Sequence, residues 1–113
     1  MNIEQAARNW LASRGHDAYV DVPNPRPGSF VTVERTGGGK TDLVVDEPTL
    51  AVQSWGPSLW EASQLALAVD ADMADMVRLR GVDSVERVSL YRFPDPDSGQ
   101  PRYQAVYQLQ ICD

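Results

Sequence analysis

RYQAVYQLQI, residues 102–111, sets Tyr103, Ala105, Tyr107, Leu109 and Ile111 on one side of an extended chain and Gln104, Gln108 and Gln110 on the other. A period of two sends successive side chains to opposite faces, so the stretch reads as a strand with one packed face and one neutral polar face. Such a strand belongs to an antiparallel sheet that is solvated on one side, not to the doubly covered parallel sheet of an α/β protein. The fold class follows as α+β: a mainly antiparallel sheet, with a short N-terminal helix and one long helix packed on one face.

Moving outward, Val85 to Phe93 (VERVSLYRF) reads as the preceding strand, joined to the first by the loop Pro94-Asp-Pro-Asp-Ser-Gly-Gln-Pro101. Further upstream, Gly56-Pro57-Ser58 ends one element and starts another. Ser58 is an N-cap, and Glu61, three residues on, completes a capping box. Ala62, Leu65, Ala66, Val69, Met73, Met76 and Val77 then form one helical stripe, with Glu61, Gln64, Asp72 and Asp75 on the far side. The periodicity predicts a helix through about Arg80, capped by Gly81.

Before that helix, Ser29 to Arg35 (SFVTVER) is strand-like and Thr36 to Asp42 reads as a flexible connection. Leu43 to Val45 and Thr49 to Trp55 return as strand around an Asp46-Glu-Pro48 interruption, expected to be a bulge or bend at an edge. Ala18 to Val22 is a brief strand closed by the proline-rich Val22-Pro-Asn-Pro-Arg-Pro-Gly28. Ile3, Ala6, Ala7, Trp10 and Leu11 share one face of a short helix from Ile3 to Arg14, ended by Gly15. The expected order is helix, three strands, long helix, two strands, in a single domain over residues 1–113.

Composition bounds function. A chain of 113 residues with 42% hydrophobic content suits one two-layer core. Ten basic residues against sixteen acidic ones give a net charge of −6, which argues against a grip on nucleic-acid phosphates. A surface that DNA must slide past would also lack a basic patch. The single cysteine, Cys112, excludes an intrachain disulfide and a cysteine-based zinc site. No run of about 18 apolar residues is present and the N-terminus has no continuous apolar core, so the expectation is no membrane and assembly in the cytoplasm.

The candidate chemical motifs each lack a partner. Gly37-Gly38-Gly39-Lys40-Thr41 ends like a phosphate-binding loop, but Glu34 stands where that motif needs its first glycine, and the flanks read as strands. His16, the one histidine, sits in a turn with no nameable partner. Asp95 and Asp97 lack the closing glutamate of a calcium loop. Of Asp70, Asp72 and Asp75, only the last two share a helical face, and they read as a solvated surface. Met73 and Met76 fall in the apolar stripe and read as core. No catalytic residue, cofactor or metal is expected, and the chain reads as a non-enzyme.

The tryptophans admit two readings, core packing or an anchor for a subunit interface, where tryptophan is enriched. Arg26, Arg35, Lys40, Arg92 and Arg102 lie in loops or at strand ends, where they could pair with the acidic excess of a neighbouring copy. From position alone, the candidate interface residues are Arg35, Gly37, Gly38, Lys40, Trp55 and Arg102.

The strings Val22-Pro-Asn-Pro-Arg-Pro-Gly28, Phe30-Val-Thr-Val-Glu-Arg-Thr-Gly-Gly38, Asp46-Glu-Pro-Thr-Leu-Ala-Val-Gln-Ser-Trp-Gly56, Glu61-Ala62 and Pro94-Asp-Pro-Asp-Ser-Gly-Gln-Pro-Arg-Tyr103 occur in a telling order. Together they resemble the tail terminator proteins of long-tailed phages of actinobacteria, over residues 20 to 110. The resemblance implies a non-enzymatic virion protein that forms a hexameric ring on the finished tail tube and stops further addition of tube subunits. It also implies a junction with the head-completion, or stopper, proteins, with DNA passing through the ring unheld. The strings are turn and strand signatures, so the resemblance transfers no residue-level site. Another neck or tail component, such as a head-tail connector or tail tube protein, and a small host α+β binding domain remain alternatives.

Overall fold

The computed structural model describes residues 1–40 and 45–112. Two helices and five strands alternate as α1 (Ile3–Ser13), β1 (Ala18–Tyr19), β2 (Phe30–Lys40), β3 (Val45–Trp55), α2 (Leu59–Ala74), β4 (Val82–Arg92) and β5 (Arg102–Cys112). The sheet runs β1-β2-β3-β5-β4, antiparallel throughout except for the two-residue β1, which lies parallel to β2. The α+β class, the single long helix and the predominantly antiparallel sheet are as the alternation in β5 requires.

Both helices cover the same face. Ile3, Ala7 and Leu11 of α1 and Val69 and Met73 of α2 pack on Val31, Val33, Leu50, Val52, Ala105, Tyr107, Leu109 and Ile111 of the sheet. Ser58 caps α2 as expected, with the Glu61 amide donating to Ser58 Oγ at 3.1 Å, and the Glu61 carboxylate accepts from the Ser58 hydroxyl at 3.0 Å. Asn2 caps α1 in the same way, accepting from the Gln5 amide at 3.1 Å.

Three boundaries depart from the sequence expectation. The long helix stops at Ala74 and tightens into a 3₁₀ turn over Asp75–Arg78, short of Arg80. Trp10 Nε1 donates to the Asp72 carbonyl at 2.7 Å, and so takes up a carbonyl near the helix end. In the tighter turn Met76 stays buried, but Val77 rotates out of the apolar stripe and is 45% exposed. Gly81 therefore caps no helix; it leads into β4 with φ +90°.

Thr36 to Lys40, read as a loop, continue β2. Gly37, Gly38, Gly39 and Lys40 pair with Thr49, Pro48, Glu47 and Asp46, and the register slips between Arg35 and Gly37. The register shift thus falls on β2 at Thr36, while β3, a central strand and not an edge, stays one strand through Asp46–Pro48 with its pairing to β5 lapsing at Glu47 and Pro48. The connection at 41–44 and the expected start of the returning strand at Leu43 lie outside the described residues. β1 is shorter than Ala18 to Val22 because only Ala18 and Tyr19 find partners on β2.

The acidic residues of α2 form structural contacts. His16 Nε2 lies 2.6 Å from Asp72 Oδ2, and Arg14 Nε contacts the other Asp72 oxygen at 2.9 Å. The histidine therefore has a partner, which a separation of 56 residues hides from the sequence. Burial opposes charge on Asp72, but hydrogen bonds from His16 and Arg14 outweigh it and hold the carboxyl below its usual range. Asp70 accepts from the buried Tyr107 hydroxyl at 2.8 Å, and burial pushes that phenol well above its ordinary range.

Candidate functional site

The sheet face opposite the helices carries a chain of side-chain hydrogen bonds across four strands. Trp55 Nε1 donates to Thr32 Oγ1 at 3.0 Å, Thr32 Oγ1 donates to Gln53 Oε1 at 2.7 Å, and Gln53 Nε2 donates to Gln104 Oε1 at 2.7 Å. Gln104 Nε2 in turn reaches the Tyr91 hydroxyl. The register explains the alignment: Thr32 pairs with Gln53, Gln53 with Gln104, and Gln104 with Tyr91. Nearer the hairpin, Thr49 Oγ1 donates to Gln108 Oε1 at 2.9 Å, and Gln110 Nε2 donates to Glu47 at 2.9 Å. Neutral amides that satisfy one another in this way leave a polar face with few free donors for an anion.

At one end of this face an aromatic and arginine cluster closes the sheet. Phe30 and Trp55 stack with centroids 5.1 Å apart, and the Arg102 guanidinium lies 4.7 Å from both the Trp55 and the Phe93 rings. Arg26 covers Trp55 from the loop side at 5.3 Å and reaches Asp95 at 3.3 Å. Beside the cluster is a cleft of about 380 Å³, lined in part by Val20, Glu34, Gln53, Arg102 and Gln104.

Asp95 is buried and accepts from Ser98 Oγ at 2.6 Å. That bond, helped by the Asp97 and Ser98 amides and Arg26 against the opposing effect of burial, holds its carboxyl at about 2. The Asp95–Gly99 turn thus spends its carboxylate on the Ser98 hydroxyl, its own backbone amides and Arg26. Among the described residues no group of three or more His, Cys, Asp and Glu side chains could hold a metal ion. His16 lies on the helical side of the molecule, paired with Asp72 and away from this cleft.

The six candidate interface residues separate into two groups. Trp55 and Arg102 are paired across β3 and β5 and meet in the cluster, where Trp55 is only 2% exposed. Arg35, Gly37 and Gly38 lie together on the β2–β3 hairpin arm, with Lys40 at the described end of β2. Arg35 is engaged within the chain, its guanidinium on Asp46 and its amide on Glu4 Oε2 at 2.8 Å. The arginines at 26 and 102 are likewise engaged within the fold.

The two readings open to the tryptophans, core packing or interface anchor, divide here, since Trp55 is buried and Trp60 is not. Trp60 is 71% exposed in the first turn of α2, and Leu67 two turns on is 56% exposed. The signal was its place outside the stripe that starts at Ala62. Among the described residues no helix is long and apolar enough to cross a membrane.

The fold is similar to a chain in a solved structure described as the virion of a native gene transfer agent particle. The match has a TM-score of 0.68 at 17% identity, and covers 92% of this chain and 84% of that one. No protein-family model matches the sequence, and no curated protein matches it.

Proposed function

We propose that this chain is a structural protein of a phage-like virion and, within it, a tail terminator. It forms a hexameric ring that caps the tail tube, stops its polymerisation and joins the tail to the head-completion proteins. The observation that carries the reading is the likeness of fold to a chain of a gene transfer agent virion over 92% of this chain. The ordered strings between Val22 and Tyr103 support the terminator among virion roles.

The function is geometric, with no catalysis, cofactor or metal. A closed ring needs a heterologous interface, in which one patch of each copy meets a different patch of the next, and it stays finite because the rotation closes. The net charge of −6 and the self-satisfied amide face suit a bore through which DNA passes unheld. The protein would be built in the host cytoplasm and reside at the head–tail junction.

Mass measurement in solution over a concentration series tests the reading. One discrete closed species supports it, whereas growth into open-ended tubes would point to a tail tube protein.

A further inference from the structure

Trp60 is the most exposed large apolar side chain among the described residues, and it stands on the outer face of α2 beside the exposed carboxylate of Glu61. At the other end of the same helix lies an apolar groove of about 410 Å³ between α1 and the segment that follows α2, lined by Ala6, Asn9, Trp10, Ser13 and Leu79. Trp10 has its Nε1 committed to the Asp72 carbonyl at 2.7 Å, so it offers the groove ring surface and no free donor. Arg78 and Arg80 flank Leu79 and are exposed, and their side chains make no ion pair or hydrogen bond among the described residues. The chain therefore carries an apolar knob next to an acid, and an apolar hole whose lining residue Leu79 stands between two exposed cationic residues in sequence.

The knob cannot fill its own hole. Trp60 and Asp72, which the groove adjoins, are separated along α2 by about 18 Å at the usual helical rise. An exposed indole in water forgoes the burial of about 150–250 Å² that an aromatic side chain gains in a pocket. A surface patch that complements a pocket elsewhere on the same molecule makes a heterologous contact, the kind a ring requires.

We propose that Trp60 of one copy inserts into the Ala6–Trp10–Leu79 groove of the next, with Glu61 facing Arg78 and Arg80. The occupant is a second copy of this chain, because both halves of the contact, apolar and charged, are present on it. The inference rests on the ring reading and names the interface that would build the ring. Tryptophan is enriched among interface hot spots, which sit in well-packed desolvated pockets, and charge complementarity around them sets orientation.

The test is sedimentation of wild type, Trp60→Glu and Asn9→Trp, the last filling the groove from an exposed helix position, with circular dichroism as the check of fold. Each variant should self-associate at least ~30-fold more weakly than wild type, the effect of losing a hot spot. An equimolar mixture of the two should form one-to-one dimers and nothing larger, since each keeps the half that the other lacks. If Asn9→Trp fails to fold, the Arg78→Glu, Arg80→Glu double variant takes its place and should likewise associate more weakly. A Trp60→Glu chain that assembles like wild type, or a wild type monomeric at every concentration, overturns the contact. A wild type that stops at a dimer dissolved by Trp60→Glu upholds the contact and overturns the ring.

Discussion

Arg35 on β2 grips Asp46 on β3 in a two-pronged ion pair, Nη1 to Oδ2 and Nη2 to Oδ1, each at 3.0 Å. The same guanidinium donates from Nε to the Gly37 carbonyl at 3.2 Å, which ties it to the strand just past the bulge. Arg35 is therefore spent on stiffening the hairpin arm, and a change there reports the arm before it reports any neighbour.

Replacing Arg35 by Ala should lower stability by about 1 kcal/mol, since the pair is part-exposed but has favourable two-pronged geometry. Urea unfolding checks this, and the difference from wild type should shrink as salt is raised. A loss several times larger would mean that the arm organises the rest of the sheet.

Gly38 has φ +87°, and a Cβ there would sit 2.0 Å from the Glu47 carbonyl oxygen. Gly38→Ala should therefore cost roughly 2 kcal/mol or more, by strain and by displacement of the opposite strand. Gly37 and Gly39 have open space at the same point, so Gly37→Ala should cost well under that. Equal losses at the two positions would contradict the described pairing of Gly38 with Pro48.

The amide chain on the open face predicts a graded series. Thr32→Val leaves buried Trp55 Nε1 without an acceptor and Gln53 Oε1 without a donor, and should cost roughly 1–3 kcal/mol. Tyr91→Phe, at the exposed end of the chain, should cost less than about 1 kcal/mol. Unfolding midpoints that rank the two the other way would contradict the hydrogen-bond assignment.

How much of this was legible in the sequence depended on range. The β5 alternation, the N-cap at Ser58 and the burial of Met73 and Met76 are local signals, and the structure bears them out. The extension of β2 through Gly37–Gly39 was hidden because glycines are read as breakers, whereas pairing with β3 holds them extended and the close approach at Gly38 requires one. The end of α2 depends on an indole 62 residues away in sequence, and the His16–Asp72 contact spans 56. For the candidate site, position identified Trp55 and Arg102 as notable but not that they stack together, and it left open which tryptophan is core and which is exposed.

Asp95 supplies a pH signature. Its carboxyl falls from an ordinary 3.8 to about 2 in the folded chain, chiefly through the Ser98 hydroxyl. A depressed folded value gives stability that is fully present above the unfolded value and is lost as pH falls through the folded one. The stability difference between wild type and Asp95→Asn should therefore be constant above about pH 5 and narrow as pH falls from about 4 towards 2. A difference that stays flat across that window would remove the Ser98 bond from the account.

The terminator reading is tested most directly by polymerising the tail tube protein of the same virion with and without this chain and measuring tube length and end structure by electron microscopy. The account predicts tubes that shorten as the chain is added, each carrying a single ring at a tube end and none along its wall. Tubes of unchanged length with bare ends, or the chain incorporated along their walls, would contradict it.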